Sequence, residues 1–512
     1  MLQWFMFIRK KKNKSGSVSI QILEKVNGKN KLLKSIGSAT NRDDIDLLLK
    51  KASLEIPKLN GQRTFDFGHT KKDADFLHSL QNSSSIKIST VGPQLVLGKI
   101  FDKIGFNEIR ERLFKELVIT RIINPVSKLK TTEYWKNHNN LNVTVQTVYK
   151  FLDRLQKDYK EKIELISYQY TNRILKRINV VFYDMTTLYF EINEEDDLRK
   201  IGFSKDGKFQ KPQIMLGLLV GEDGYPIGYD IYEGNTFEGK TMIPFIERLQ
   251  SKYGFDKPII VADSGLLSNK NIEDLKQKKY KFIIGARIKN ESNKIKKEIL
   301  ARTINLENGK NILIEKNDTK LVVSFSNRRA KKDMYNREKG VQKLRIKINS
   351  GKLTKQSINN RGYNKFLKLK SEVEIELDEN KIVDDKKWDG LKGYITNTAL
   401  SNDEVIENYQ NLWKIEKAFR ISKNDLRLRP IFHYKKKRIE AHICLSFVAY
   451  TIYKELERLL KAKRSDISVT KAIELLDTIY EVTIKLPVSD VSTTILADLS
   501  KNQKEVLRVT QS

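Results

Sequence analysis

The stretch Ile214-Met-Leu-Gly-Leu-Leu-Val-Gly-Glu-Asp-Gly-Tyr-Pro-Ile-Gly-Tyr-Asp-Ile-Tyr232 holds two apolar, β-prone runs, Ile214–Val220 and Ile227–Tyr232. The glycine-bounded tetrapeptide Gly221-Glu-Asp-Gly224 between them is a hairpin signal. Upstream, Asn179–Tyr183 reads as a further strand. Downstream the pattern becomes helix (Thr241–Lys252), strand (Ile259–Ala262), helix (Asn269–Lys278) and strand (Lys281–Ile284). A sheet that begins with a hairpin and continues in αβ units is mixed, so an α/β fold with a mixed sheet is expected, not one doubly wound from its first strand.

Two acidic residues close apolar strands of this region: Asp184 after Val-Val-Phe-Tyr, and Asp263 after Ile-Ile-Val-Ala. A third candidate, Glu416, lies in Ser401-Asn-Asp-Glu-Val-Ile-Glu-Asn-Tyr-Gln-Asn-Leu-Trp-Lys-Ile-Glu-Lys-Ala-Phe-Arg420. That segment reads as one helix with Ser401 or Asn402 as its cap and acids in its first turn. Steps of three and four place Val405, Tyr409, Leu412, Glu416, Phe419 and Lys423 on one face, apolar except for Glu416 and Lys423. A carboxylate buried on such a stripe needs a cation beside it. Three acids meeting from two strand ends and a helix would form an oxygen-rich pocket for hard divalent metals.

The 512 residues carry 96 Lys and Arg against 64 Asp and Glu, a formal net charge of +32, which favours polyanionic partners. A coding bias toward Lys, Asn and Ile would also raise the lysine count, but such a bias supplies acidic residues as well. The single cysteine, Cys444, excludes an intramolecular disulfide framework and a cysteine-rich zinc site. No apolar run approaches the ~18 residues of a membrane span. The opening Met-Leu-Gln-Trp-Phe-Met-Phe-Ile precedes its basic residues, the reverse of a secretory signal, so a cytoplasmic, membrane-free protein is expected.

The rest of the chain divides by texture. Residues 1–60 read as a small β unit, with a turn at Asn27-Gly28. Residues 90–178 read as helical, a basic region suited to holding DNA ends, with one stripe from Leu95 to Ile109 and a helix over Thr147–Leu155. Residues 179–287 form the first part of the α/β core. Residues 288–387 read as a mostly β insertion, from runs such as Leu321-Val-Val-Ser-Phe-Ser and Val373-Glu-Ile-Glu-Leu. Residues 388–465 hold the remainder of the core with the Glu416 helix, and 466–512 a C-terminal helical segment.

Gly234-Asn-Thr-Phe-Glu-Gly-Lys240-Thr241 fits the phosphate-loop pattern G-x-x-x-x-G-K-[ST], after a strand and before a helix. A P-loop-type ATPase is therefore one reading, although Glu233 and Glu238 would repel a triphosphate. A non-catalytic DNA-binding protein is another, with three acids on a DNA surface to account for.

A resemblance favours a third. Tyr409-x-x-Leu412-x-x-x-Glu416, with Lys423 seven positions on, is similar to the Tyr-Arg-Glu-Lys signature of DDE-type transposases from bacterial insertion sequences of the IS-four superfamily. Trp413–Arg420, Leu426-Arg-Leu-Arg-Pro430 and His433 look like the same block. Asp184-Met-Thr-Thr187 resembles the first-acid block and Ala262-Asp-Ser-Gly265 the second. Glu233-Gly-Asn-Thr236 with Lys240-Thr241 resembles a further block, which reassigns the ATPase-like motif. The signature's arginine, which the resemblance expects to hold a DNA phosphate, is replaced by Leu412, so Lys414, Arg420 or another cation substitutes for it, or that contact is lost.

The resemblance implies an RNase H-like core carrying the insertion, and a prokaryotic, nucleoid-associated enzyme that cuts and joins DNA at the ends of an insertion sequence. It implies Asp184, Asp263 and Glu416 as catalytic ligands of two Mg²⁺ ions, with Mn²⁺ as a substitute, and Tyr409, Arg420 and Lys423 as DNA contacts. The partners it implies are double-stranded DNA (terminal inverted repeats and target) and a second copy of the chain in the DNA complex.

Overall fold

The computed structural model describes residues 6–26, 28–59, 85–205, 207–254, 256–266, 268–371, 374–485 and 492–511. The opening residues 1–5, Asn27 of the expected turn and Val373 of the expected strand lie outside them. The chain forms two compact units, Met1–Ile86 with Ile484–Thr493, and Lys87–Thr483 with Thr494–Ser512.

In the first unit β1 (Met6–Lys12), β2 (Val18–Val26) and β3 (Lys29–Ala39) make an antiparallel meander in which Val26 pairs with Lys29. It is not purely β, because α1 (Arg42–Leu59) follows. Its N-terminal amide at Asp44 is capped by the Asn41 side chain at 2.7 Å. Its stripe Ile45, Leu48, Leu49, Ala52 and Ile56 packs on Ile20 and Ile22 of β2.

The second unit begins within a strand, β4 (Ser85–Thr90), and continues with helices α2 (Lys99–Ile104), α3 (Arg112–Ile123), α4 (Lys128–His138) and α5 (Val145–Leu175). The last runs 20 residues beyond the expected Leu155 end, because buried residues recur at helical spacing through Ile163, Ile166 and Tyr170. The core strands are β5 (Val180–Tyr189), β6 (Gln213–Gly221), β7 (Pro226–Glu233), β8 (Ile259–Ala262) and β9 (Phe282–Ala286). Helices α6 (Met242–Tyr253) and α7 (Asn269–Gln277) lie among them in sequence. β5, β6 and β7 form an antiparallel meander, and β5, β8 and β9 run parallel.

The eight-stranded sheet has the order β10-β11-β14-β9-β8-β5-β6-β7. Its far side corrects the expected insertion. β10 (Asn311–Lys316) and β11 (Thr319–Phe325) follow α8 (Asn293–Thr303) and are sheet members, joined to β9 through β14 (Leu391–Thr396). What is inserted, between β11 and β14, is mainly helical: α9 (Asn327–Asn349), two three-residue strands, β12 (Leu367–Leu369) and β13 (Ile375–Leu377), and α10 (Glu379–Lys386). They share a small core of Val341, Leu344, Phe366 and Ile382. Alternation marks β10 and β11 as strands, but local pattern does not say which sheet a strand joins.

The chain continues through α11 (Asn402–Gln410), α12 (Trp413–Arg420) and α13 (Lys436–Ala462). The segment beyond 466, expected to be helical, contains α14 (Val469–Asp477), strands β15 (Tyr480–Lys485) and β16 (Ser492–Leu496), and α15 (Lys501–Arg508).

The sheet is covered on both faces. Phe182 of β5 and Leu216 and Leu218 of β6 pack with Phe419 and with Phe447 of α13. Val181, Tyr183 and Met185 of the same β5 point the other way, onto Phe245, Ile246 and Leu249 of α6. Such double burial explains why β6 is apolar without alternation.

Candidate active site

The register of β5 and β8 assembles the first two acids. Tyr183 pairs with Ala262 in parallel, so Asp184 and Asp263 are the next residues along two neighbouring strands. Adjacent strands lie ~4.8 Å apart, which sets the two acids side by side near the middle of the sheet, Asp184 within β5 and Asp263 just past the end of β8. Asp184 Oδ1 accepts the Met185 amide at 2.7 Å, and Asp263 Oδ1 accepts the Ser264 amide at 2.7 Å.

Asp184 keeps only 23% of its side chain exposed. Burial lifts its carboxyl to about 6, against the opposing pull of the Lys205 ammonium and the Met185 amide. Lys205 Nζ lies 3.4 Å from Asp184 Oδ1 and 2.8 Å from Glu238 Oε1, and it also donates to the Met185 carbonyl. Burial works against the Lys205 charge, yet the two carboxylates hold its ammonium above the ordinary lysine range.

Tyr409 of α11 is 4% exposed, and its hydroxyl donates to Asp263 Oδ1 at 2.9 Å. Burial and then the Asp263 charge push that hydroxyl's pKa up. Lys392 of β14 places its Nζ 4.3 Å from the Tyr409 ring centroid. Burial and then Arg329 draw the Lys392 ammonium down, while Asp263 and Glu416 support its charge. A cavity of about 610 Å³ opens beside Asp263, with Arg287, Arg329, Lys392 and Tyr409 in its wall.

Glu416 requires a correction. The helix expected over Ser401–Arg420 is two helices. α11 starts from a Ser401–Glu404 capping box, and the chain tightens at Asn411 and Leu412 before α12 begins. The amides of Leu412, Lys414 and Ile415 reach back only three residues. The break shifts the phase, so α12 buries Ile415, Ala418 and Phe419 and leaves Glu416 exposed. Glu416 forms no ion pair among the described residues; the Lys392 charge acts on it from farther away. Its field also reaches the Tyr409 hydroxyl, as does that of Asp263, so all three groups share one neighbourhood.

The remaining candidates are placed as follows. Arg420 ends α12, is exposed and forms no ion pair among the described residues. Lys423 lies half-buried in a widened turn, Ile421–Asp425, rather than on a continuous α-helical face. Leu412 is buried at 7% exposure. Lys414 turns toward the β6–β7 hairpin, where its ammonium is 3.6 Å from Asp223.

Sequence reading missed Lys205, Glu238 and Lys392. Glu238 stood only as a repulsive neighbour in the ATPase-like motif, and no local pattern singles out the other two.

The ATPase-like loop is no phosphate cradle. The amides of Gly234, Thr236, Lys240 and Thr241 are bonded to the carbonyls of Leu198, Glu233, Phe237 and Glu238. The Thr241 hydroxyl is engaged with the Glu238 carbonyl and the Tyr183 hydroxyl. The preceding strand, β7, is an edge strand of the sheet rather than a central parallel one.

The donors suit a hard cation. Asp184 and Glu238 already cradle an ammonium, and Asp263 stands on the next strand with one carboxylate oxygen outside any hydrogen bond of the described residues. Among the described residues no three such side chains are close enough to form a closed metal site.

The chain belongs to the DDE transposase family: the model of the transposase DDE domain matches residues 176–452, which hold all three acids. Members of this family cleave and transfer DNA strands and generally use divalent metal ions. Among curated proteins no sequence matches this chain. Among solved structures it is similar to a piggyBac transposase synaptic complex with hairpin DNA, at 10% identity and a TM-score of 0.40, over 75% of this chain and 76% of that one. It is also similar to the Mos1 transposase paired-end complex with the left transposon end, at 12% identity and a TM-score of 0.16, over 34% of this chain and 58% of that one. Neither likeness is close enough to bear on the fold.

Proposed function

We propose that this chain is an insertion-sequence transposase of the IS-four type with an RNase H-like core, cutting and joining DNA at the ends of its element. The observation that carries the reading is the adjacency of Asp184 and Asp263 on parallel strands, with Glu416 delivered by the helix pair that follows β14. A meander β5-β6-β7 extended by parallel β8 and β9 is the strand order an RNase H-like sheet requires.

Asp184, Asp263 and Glu416 would hold Mg²⁺, which when bound neutralises charge at phosphorus and activates the attacking oxygen. The protein's own groups prepare that site. Tyr409 fixes the Asp263 carboxylate through its hydroxyl, leaving the second oxygen as a ligand. Lys205 holds its ammonium between Asp184 and Glu238 and offsets their charge. Lys392 and Arg329, on the wall beside Asp263, supply positive charge where a DNA phosphate would approach. Arg420, exposed on the helix of Glu416, takes the phosphate contact that Leu412 cannot make.

The test is incubation of the protein with DNA carrying its native element ends, Mg²⁺ and no nucleotide. Strand cleavage at the ends is expected. Cleavage that needed ATP, or none in the presence of Mg²⁺ or Mn²⁺, would reject the reading.

A further inference from the structure

A second charged centre lies apart from the acids. A cavity of about 530 Å³ opens between α3, α4 and the loop that leads from Leu426 into α13. Its wall carries Arg121, Lys128, Lys130, Arg427, Arg429 and two histidines, and no Asp or Glu. Arg121 and Lys128 are 5% and 4% exposed. Lys128 has no hydrogen bond or ion pair among the described residues, and the Nε of Arg121 has no partner.

The histidines do not supply the missing anion. Arg121 can only donate, so its 3.0 Å contact with His442 Nδ1 makes that nitrogen an acceptor. His442 Nε2 lies 3.0 Å from the Leu428 carbonyl and therefore carries the proton. His442 is thus neutral. Burial, then the Lys128 and Arg121 charges, push neighbouring His433 down to about 3. Asp153, the carboxylate whose charge reaches His433, is already bound by Arg438 at 2.7 Å and faces Lys437 at 3.5 Å.

Burial and then the Arg121 charge draw the Lys128 ammonium well below the ordinary lysine range, so an anion entering the open cavity would pair with the Arg121 guanidinium, whose Nε has no partner among the described residues, and would restore the Lys128 charge. We propose that this cavity binds a phosphate group of the DNA backbone, held by Lys128 and Arg121. The surroundings favour DNA over a free ion. Phe432 on the wall and nearby Tyr434 are 64% and 70% exposed, offering aromatic faces to bases. Arg429 of the same loop places its guanidinium 5.9 Å from the ring of Tyr189, at the end of the strand that carries Asp184. The choice of DNA rests on the transposase reading; the anion chemistry does not.

The experiment uses the full chain without metal. Affinity for a double-stranded oligonucleotide is measured across a salt series, and inorganic phosphate is titrated separately as the free-anion probe. Lys128→Met should weaken DNA binding about tenfold and reduce the salt slope by about one. Lys128→Arg should restore both. Arg427→Gln, an exposed wall residue, should weaken binding severalfold, and it carries the test if Lys128→Met does not fold. Unchanged affinity and slope in the folded variants would overturn the proposal. Phosphate binding that depends on Lys128 while DNA affinity does not would replace the DNA backbone by a free anion and overturn it equally. Cleavage of end DNA with Mg²⁺, scored in parallel, separates the failures: cleaving variants with unaltered affinity sink the cavity alone, and a wild-type chain that neither binds nor cuts DNA sinks the transposase reading with it.

Discussion

Beside β5 and β8 a lysine and a tyrosine already serve the carboxylates, whereas in the cavity between α3 and α4 two buried basic side chains, Lys128 and Arg121, meet no carboxylate among the described residues. Lys205 bridges Asp184 and Glu238, and Tyr409 donates to Asp263. Lys128 and Arg121 face two neutral histidines. The acidic centre is therefore offset in part by one lysine, while Lys128 and Arg121 meet no carboxylate among the described residues. Charge alone would not distinguish them: with +32 overall, cations are in surplus everywhere. What distinguishes them is whether burial is matched by a partner.

The most severe way to break this contrast is at the acids. Asp184→Ala, Asp263→Ala and Glu416→Ala should each abolish strand cleavage while leaving binding to end DNA, since phosphate contacts come from cations. A variant that cleaves at the parental rate removes its residue from the site. Glu416 is the sharpest of the three, because its exposure means that no folding defect should accompany the loss.

A second effect concerns stability and pH. Asp184 has its carboxyl raised from 3.8 to about 6 in the folded, metal-free chain. A raised acid binds its proton more readily when folded. It therefore costs stability as pH rises from the unfolded value through about 6, and costs nothing below both. Asp184→Asn should stabilise the metal-free protein at pH 8 by up to about 3 kcal/mol, and not at pH 3. Urea unfolding at the two pH values checks this; an equal effect at both would mean that Lys205 fully offsets the burial.

A smaller effect is expected at Tyr409. Tyr409→Phe removes one hydrogen bond to a carboxylate, costing about 1–2 kcal/mol and slowing cleavage about tenfold without altering DNA affinity. Loss of DNA binding instead would make Tyr409 a direct contact. The smallest is Lys240→Ala, which should change neither cleavage nor its independence of ATP. Lys240-dependent ATP hydrolysis would return the ATPase reading.

Much of this was legible in residue order. Period-two and apolar runs gave the five core strands, and Asp263 does follow the last residue of β8, but Asp184 does not close its strand: β5 runs on to Tyr189, because the apolar pairing with β6 continues past it. The exposure of Glu416 was not legible, because the helix break at Asn411–Leu412 lies in a sequence with good helical spacing and no Pro or Gly. Nor was the membership of β10 and β11 in the main sheet, since alternation is the same whichever strand lies alongside.

The sequence by itself determined the mixed sheet, the basic surplus and the presence of acids that could serve a metal, because side-chain period and charge are local properties. Only the tertiary structure decided which charges meet. Lys205, Lys392, Arg121 and Lys128 are ordinary residues of a lysine-rich chain until register and packing set two of them near carboxylates and two, among the described residues, near none. The cost of burying a charge depends on its neighbours in space, and those come from parts of the chain far apart in sequence.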